Sequence, residues 1–231
     1  EINQIVDLKI IGDINERQSF DEKNAALVRA ILKVSGKEVL CDSSKNIGRL
    51  AGYIRSGLFN VTIVNLVRDG RAVAHSNASK RKRMKERHKE MNLYERWIVA
   101  IKKKNLQHSA LYSLYQWQRL NMKCLKIFSK HPYYHLIRYE DLADEPVAQI
   151  RRITDALGLK FEKKQLNFCE EKHHNLGGNR MRMKDEQKIV RDVRYLKGYS
   201  FIGWWVATLY LYPLLRRFGY PLARQVTKEQ G

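Results

Sequence analysis

The segment Val61-Thr62-Ile63-Val64-Asn65-Leu66-Val67 runs directly into Arg68-Asp69-Gly70-Arg71. Its β-branched and almost entirely apolar composition predicts a strand buried on both faces, as in a parallel sheet covered by helices. A helix is predicted to begin near Ala72. The chain therefore passes from a buried strand through a basic turn into a helix.

Strands and helices alternate on either side of this stretch. Two further strands are predicted at residues 38–41 and 133–138, and helices at 47–56, about 93–129 and 146–157. This alternation is the α/β pattern with a mostly parallel sheet. No linker divides the chain, so we expect residues 1–231 to form a single domain. Cys41 ends the first strand and is expected to be a buried free thiol.

Polar and basic residues follow each predicted strand. Residues 42–45 follow the first strand, Arg68 the second and Tyr139 the third. Ligands of such sheets bind at the carboxyl ends of the strands. Hydroxyls and cations gathered at one edge suit a multiply charged anion, because each phosphate oxygen needs a donor and its charge must be balanced.

The formal net charge of +20 indicates anionic partners: a nucleotide, a sulfated or phosphorylated glycan, nucleic acid or an acidic membrane. The densest basic cluster lies at residues 80–89. It is either a solvated helix end or loop, or a guide for an anionic donor or acceptor. Three cysteines far apart suggest no disulfide framework and no zinc spacing, which favours a cytoplasmic location.

The longest apolar stretch covers residues 201–215. It is shorter than the roughly 20 residues of a membrane-spanning helix, and Pro213 interrupts it. We expect a core or interfacial helix. Its tryptophans and tyrosines leave peripheral membrane contact as an alternative.

Arg68 leaves the central strand, and Ser76 lies about two helical turns further on. A guanidinium and a hydroxyl at the start of a helix can bind one phosphate together. The alternative is that Arg68 pairs with Asp69 or Glu140 while Ser76 lies on the helix surface.

The run from Leu66 to Ser76 resembles the 3′-phosphate-binding segment of sulfotransferases that use 3′-phosphoadenosine 5′-phosphosulfate (PAPS). Three more segments resemble bacterial and carbohydrate-type members in the same order: 39–46, 138–142 and 174–182. The resemblance covers roughly residues 37–222. It implies a three-layer α/β fold like that of P-loop NTPases.

The resemblance also implies the nucleotide-binding residues. Arg68 and Ser76 would hold the 3′-phosphate, and Tyr139 would lie near the adenosine. A late loop would close over the nucleotide through Gly178, Asn179 and Arg180.

The turn after the first predicted strand would contact the sulfuryl end of PAPS. By resemblance, Lys45 would stabilise charge on the leaving phosphate, and Ser44 would contact the donor or cap the next helix. Asp42 and Glu38 are local candidates for the general base. His75 is a weaker candidate, because a helix is expected to direct it away from Ser76.

The chain departs from the family before Glu38. No Gly-x-x-Arg-Ser-Gly-Thr loop, which would cradle the 5′-phosphosulfate, occurs there. We expect that loop to lie upstream of Glu1, so that this chain is an incomplete and poorly active fragment.

The expected function is sulfuryl transfer, without a metal, from PAPS to a hydroxyl or amine of a glycan or lipid acceptor. One alternative is a P-loop nucleotide kinase, although its Gly-x-x-x-x-Gly-Lys-Ser/Thr loop is not visible. Another is a basic nucleic-acid-binding protein, although residues 80–89 lack interleaved aromatic residues and no known module is evident.

Overall fold

The computed structural model describes residues 14–89, 110–167 and 191–225, with only the backbone described for 14–19 and 81–89. The described residues form two compact units. One contains residues up to 63 together with 127–133, and the other contains 64–126 and the residues from 134 onward.

Two helices dominate the first unit, α1 (Ile14–Ser35) and α2 (Ile47–Ser56). The Asn46 side chain caps α2 by accepting a hydrogen bond from the backbone of Arg49. Gly57 ends the helix in the left-handed conformation, with φ of 66°, which glycine adopts without steric cost. The predicted bounds of α2 are therefore confirmed.

The strand predicted at residues 38–41 is wrong. This segment is irregular, and Val39, Leu40 and Cys41 are all exposed. A strand persists only where its backbone groups pair with a neighbour, and the sheet among the described residues has two strands, neither of them this one. The expectation of a buried Cys41 thiol fails for the same reason.

The remaining elements follow in α/β order. They are β1 (Ile63–Val67), α3 (Gly70–Lys89), α4 (Ala110–Phe128), β2 (Tyr134–Arg138), α5 (Tyr139–Asp144), α6 (Pro146–Ala156), a 3₁₀ turn (Lys163–Leu166), α7 (Arg194–Gly198) and α8 (Phe201–Arg217). Strands β1 and β2 pair as a small parallel sheet. The prediction that β1 is buried on both faces is wrong. Because side chains alternate between the faces of a strand, Ile63 and Val67 are buried on one face while Val64 and Leu66 are exposed on the other. The predicted α/β class is confirmed.

The part of the predicted long helix that lies at residues 93–109 is outside the described residues.

The hydrophobic core of the second unit lies where α3, α4 and α8 pack against the end of β1. Its buried residues include Val67, Ala74, Leu114, Trp117, Leu125, Ala207, Leu211, Leu214 and Leu215. The apolar stretch at residues 201–215 thus forms a helix with one face in the core, while Phe201, Ile202, Val206 and Leu209 on its other face are exposed. The predicted peripheral membrane contact stays a prediction. Among the described helices, none is both long and apolar enough to cross a membrane.

A buried ion pair fixes the turn between β1 and α3. Asp69 and Arg71 are both 0% exposed, and Arg71 Nη2 lies 2.7 Å from Asp69 Oδ2. Arg71 also donates to Thr208 Oγ1 in α8 and to the Pro221 carbonyl. Because a buried charge is tolerated only when it is paired and hydrogen-bonded, this network fastens the β1–α3 turn to the C-terminal segment.

Candidate functional site

A pocket of about 140 Å³ lies beside the first half of α3. The helix contributes Ala72, His75, Ser76 and Ser79, which recur at the three- and four-residue spacing of one helical face. Arg68 lines the pocket from the end of β1. The remaining wall comes from the segment that leads into α7, through Asp192, Arg194 and Tyr195.

Arg68 is held in place by contacts on both its backbone and its side chain. Trp117 Nε1 donates to the Arg68 carbonyl at 3.0 Å, and the Arg68 guanidinium lies 4.8 Å from the centre of the Tyr139 ring. Its Nη2 donates to Asp192 Oδ2 at 3.0 Å. Its Nε is buried and has no hydrogen-bond partner. Since buried donors are nearly always paired, this N–H marks a place where a ligand oxygen could bind.

The alternative pairing of Arg68 with Asp69 or Glu140 does not occur in this arrangement. Asp69 pairs with Arg71, and Glu140 accepts from the Asp69 backbone and from the Tyr220 hydroxyl. Glu140 is only 5% exposed, so it links the β1 turn to the C-terminal segment inside the unit. The contacts of these two acidic residues stabilise the fold, and neither residue neutralises Arg68 in the pocket wall.

Asp192, in the lining of the pocket, accepts hydrogen bonds from two arginines. Its Oδ2 accepts from Arg68 Nη2 at 3.0 Å and from Arg194 Nη2 at 2.9 Å, and its Oδ1 accepts from Arg194 Nε at 2.8 Å. The hydrogen bonds from Arg194 lower the pKa of Asp192 far below its usual range, although its partial burial acts in the opposite direction. The carboxylate is therefore ionised at neutral pH.

The expected orientation of His75 is wrong. His75 and Ser76 both line the pocket, since neighbouring residues on a helix are only about 100° apart and can border the same groove. Burial lowers the pKa of His75, and the positive charges of Arg194 and Arg68 lower it further, whereas Asp192 raises it. The ring is thus mainly neutral at pH 7, and it can donate one hydrogen bond and accept another.

The predicted donor-side residues lie in the first unit. Lys45 is exposed and takes a left-handed backbone conformation, with φ of 59°. Asp42 Oδ1 accepts from the Ser44 backbone at 2.9 Å, which orders the turn before Lys45. The prediction that a serine caps the next helix is wrong, because Asn46 stands immediately before the first helical residue and its side chain makes the cap.

Asp42 has the environment of a paired carboxylate. Burial would raise its pKa, but hydrogen bonds from Ser44 and the charge of Arg49 outweigh burial and lower it. Arg49 Nε lies 3.2 Å from Asp42 Oδ2. A general base works best with a pKa near the working pH, so these contacts favour a structural role for Asp42 over the predicted catalytic one, which stays a prediction.

Three predicted nucleotide-binding residues, Gly178, Asn179 and Arg180, lie outside the described residues. The pocket residues Asp192 and Arg194 were not among the site residues predicted from the sequence. These two follow the late loop in the chain, and no motif at their position links them to Arg68.

Comparisons with known proteins now define the class. The sulfotransferase family matches residues 9–163, which is more than half of the chain and includes Arg68, Ser76 and Tyr139. The chain belongs to the sulfotransferase family, whose members transfer sulfuryl groups.

A relative from Caenorhabditis briggsae, described as a putative protein-tyrosine sulfotransferase, is 23% identical over 182 residues. The match covers 77% of this chain and 56% of that protein, so the chain spans little more than half of its relative's length. No solved structure matches the chain.

Proposed function

We propose that the pocket beside α3 binds the 3′-phosphate of PAPS, and that the chain takes part in sulfuryl transfer from this donor to a hydroxyl or amine. The observation that carries the proposal is the unpaired, buried Nε of Arg68, in a pocket that Ser76 also lines. A phosphate oxygen would satisfy this donor, and the Arg68 charge would balance the phosphate.

The size of the pocket supports binding of one phosphate group rather than a whole nucleotide. Its volume of about 140 Å³ is well above the ~30 Å³ share of one water molecule. It is below the roughly 300–1,000 Å³ of pockets that enclose entire small molecules. The adenosine would therefore lie outside it, on the side where Tyr139 stacks on Arg68.

The other requirements of the reaction fall on residues outside this pocket. Sulfuryl transfer, like phosphoryl transfer, needs aligned attacking and leaving oxygens and stabilisation of charge on the leaving group. Lys45 would supply that positive charge, and Gly178, Asn179 and Arg180 would close over the nucleotide. Membership of the sulfotransferase family supports this scheme over the kinase and nucleic-acid alternatives.

The acceptor we propose is a glycan or a lipid, because the net charge of +20 favours anionic partners. The relative's description raises a second class, the tyrosine hydroxyl of a protein. Transfer of labelled sulfate to a panel of glycans, lipids and tyrosine peptides distinguishes the classes. A product only on peptides would overturn the glycan or lipid proposal.

Calorimetry with adenosine 3′,5′-bisphosphate, the product nucleotide, tests the proposed site. We expect weak but measurable binding by the wild-type chain. Arg68→Ala should lose roughly tenfold to a hundredfold in affinity, because hydrogen bonds to charged groups contribute about 1.5–3 kcal/mol. Ser76→Ala should lose less affinity than Arg68→Ala, because it removes a neutral hydrogen-bond donor rather than a charged one.

Arg119→Ala is the matched control, since Arg119 is an exposed arginine on α4 that does not line the pocket. It removes the same charge and should leave affinity within about twofold. Equal affinities for the Arg68→Ala and Arg119→Ala variants would refute the assignment of the pocket.

A further inference from the structure

We propose that the Asp192 carboxylate occupies the anion position of the pocket, and that the 3′-phosphate displaces it and is then bound by both Arg68 and Arg194. The inference rests on the proposed function of the pocket. It adds an internal competitor, Asp192, and a second phosphate-binding arginine, Arg194.

The geometry of the ion cluster carries the first step. Two guanidinium groups approach one carboxylate, with nitrogen–oxygen distances between 2.8 and 3.0 Å. Arg194 contributes two nitrogens, Nε and Nη2, to the two carboxylate oxygens. Guanidinium groups bind phosphate with this same two-pronged geometry, so Asp192 stands where two phosphate oxygens would fit.

The contacts with Asp192 leave one hydrogen-bond donor of the Arg68 guanidinium without a partner. Asp192 accepts from Nη2 of Arg68, while the buried Nε is left without a partner. A tetrahedral phosphate has one more terminal oxygen than the carboxylate and can reach Nε while it keeps contact with Nη2. Replacement of the carboxylate by the phosphate therefore adds a hydrogen bond that the Asp192 arrangement lacks.

Exposure allows Arg194 to move, and charge repulsion requires Asp192 to move. The Arg194 side chain is 81% exposed and the Asp192 side chain 24% exposed. The Arg194–Asp192 pair is exposed on its arginine side and adds little to stability, so its rearrangement does not threaten the fold. The Arg68–Asp192 pair is largely buried, so the incoming phosphate has to replace its contact with Arg68. By contrast, an incoming phosphate next to an ionised carboxylate is strongly disfavoured. Asp192 must therefore move away from Arg68 before the phosphate binds. The exposed Arg194 side chain can then turn to contact the bound phosphate.

Calorimetry with Asp192→Asn tests the competition. The variant keeps the size of the side chain and removes its charge, so affinity for adenosine 3′,5′-bisphosphate should increase about tenfold. Adenosine 5′-monophosphate, which has no 3′-phosphate, should bind both proteins alike. Asp155→Asn removes an exposed carboxylate on α6 and should leave both affinities unchanged.

A double-mutant cycle tests the role of Arg194. If Arg194 binds the phosphate, Arg194→Ala weakens bisphosphate binding by about tenfold in the Asp192→Asn background as well. If Arg194 acts only by holding Asp192, its removal has no effect in that background. The second result would overturn the assignment of Arg194.

Several outcomes separate this inference from the proposed function. Unchanged or weaker bisphosphate binding by Asp192→Asn would refute the competition, even where Arg68→Ala confirms the site. An equal gain for both nucleotides would also refute it, because the effect would not depend on the 3′-phosphate. Failure of the wild-type chain to bind bisphosphate in an Arg68-dependent way would refute the proposed function itself. Asp192→Ser, neutral and smaller, repeats the test if Asp192→Asn does not fold.

Discussion

At the residue scale, Lys45 has the most unusual backbone. Its φ of 59° lies in the left-handed region, and it is the one non-glycine residue with positive φ within the described ranges. This conformation brings Cβ close to the following carbonyl and costs about 1–2 kcal/mol. Strained residues cluster at functional sites, so the backbone is compatible with the role proposed for the Lys45 side chain.

Substitution of Lys45 separates backbone strain from side-chain chemistry. Lys45→Gly should be more stable than Lys45→Ala by about 1 kcal/mol, because glycine adopts positive φ without steric cost. Urea unfolding of the two variants measures the difference. Equal free energies of unfolding would mean that this backbone is not strained.

His75 gives the protein a pH dependence of known sign. Its folded pKa is lowered, mainly by burial, whereas the unfolded pKa is about 6.5. The unfolded state therefore binds the proton more readily, and stability falls as the pH drops from about 6.5 toward the folded pKa. Between pH 7.5 and 5.5, His75→Gln should lose less thermal stability than the wild type. Parallel melting curves for the two proteins would contradict this assignment.

At the scale of elements, Gly70 allows β1, α4 and α8 to meet at the start of α3. A Cβ at this position would lie 2.6 Å from Leu211 Cδ1 and 2.7 Å from the Trp117 ring. The same Trp117 ring donates to the Arg68 carbonyl at the pocket. The glycine is thus required by packing, and the position of Arg68 depends on it.

Gly70→Ala should destabilise the protein by about 1–3 kcal/mol, because an added methyl group forces the core residues apart. Gly52→Ala is the matched control inside α2, where the nearest atom to an added Cβ is 3.8 Å away. There the substitution should stabilise by about 0.5–1 kcal/mol, since alanine favours helix. Chemical denaturation of both variants measures the contrast. Similar effects at the two positions would show that packing does not require Gly70.

At the scale of the whole molecule, two arginines three residues apart have separate roles. Arg71 is fully buried and joins Asp69 to α8 and to the C-terminal segment. Arg68 has 27% of its side chain exposed and faces the pocket. One arginine stabilises the fold, and the other lines the pocket, where it is paired with Asp192.

Arg71→Ala should therefore destabilise the protein by about 3–5 kcal/mol, because it leaves the buried Asp69 charge unpaired. Arg68→Ala should change stability by less than about 1 kcal/mol. Thermal or chemical unfolding checks both values. If the two variants were equally stable, the division of roles between the arginines would be wrong.

Local patterns predicted most elements correctly. The strand before Arg68, the strand before Tyr139 and α2 follow from composition and end signals that lie within each segment, although burial of the first strand on both faces did not follow. The segment at residues 38–41 has strand-like composition but is irregular in the structure. Strand formation depends on a partner elsewhere in the chain, which local composition does not describe.

From local sequence alone it follows that a strand leads through a basic turn to a helix, with Arg68 and Ser76 at the spacing we expect for the proposed phosphate site. This information is local, because one strand end and two helical turns set the positions of both residues. The packed structure was needed to see that Asp69 and Glu140 make contacts that stabilise the fold, and that Asp192, 124 residues from Arg68, pairs with it. Long-range pairing depends on how helices pack, and that packing arises from many weak contacts distributed along the chain.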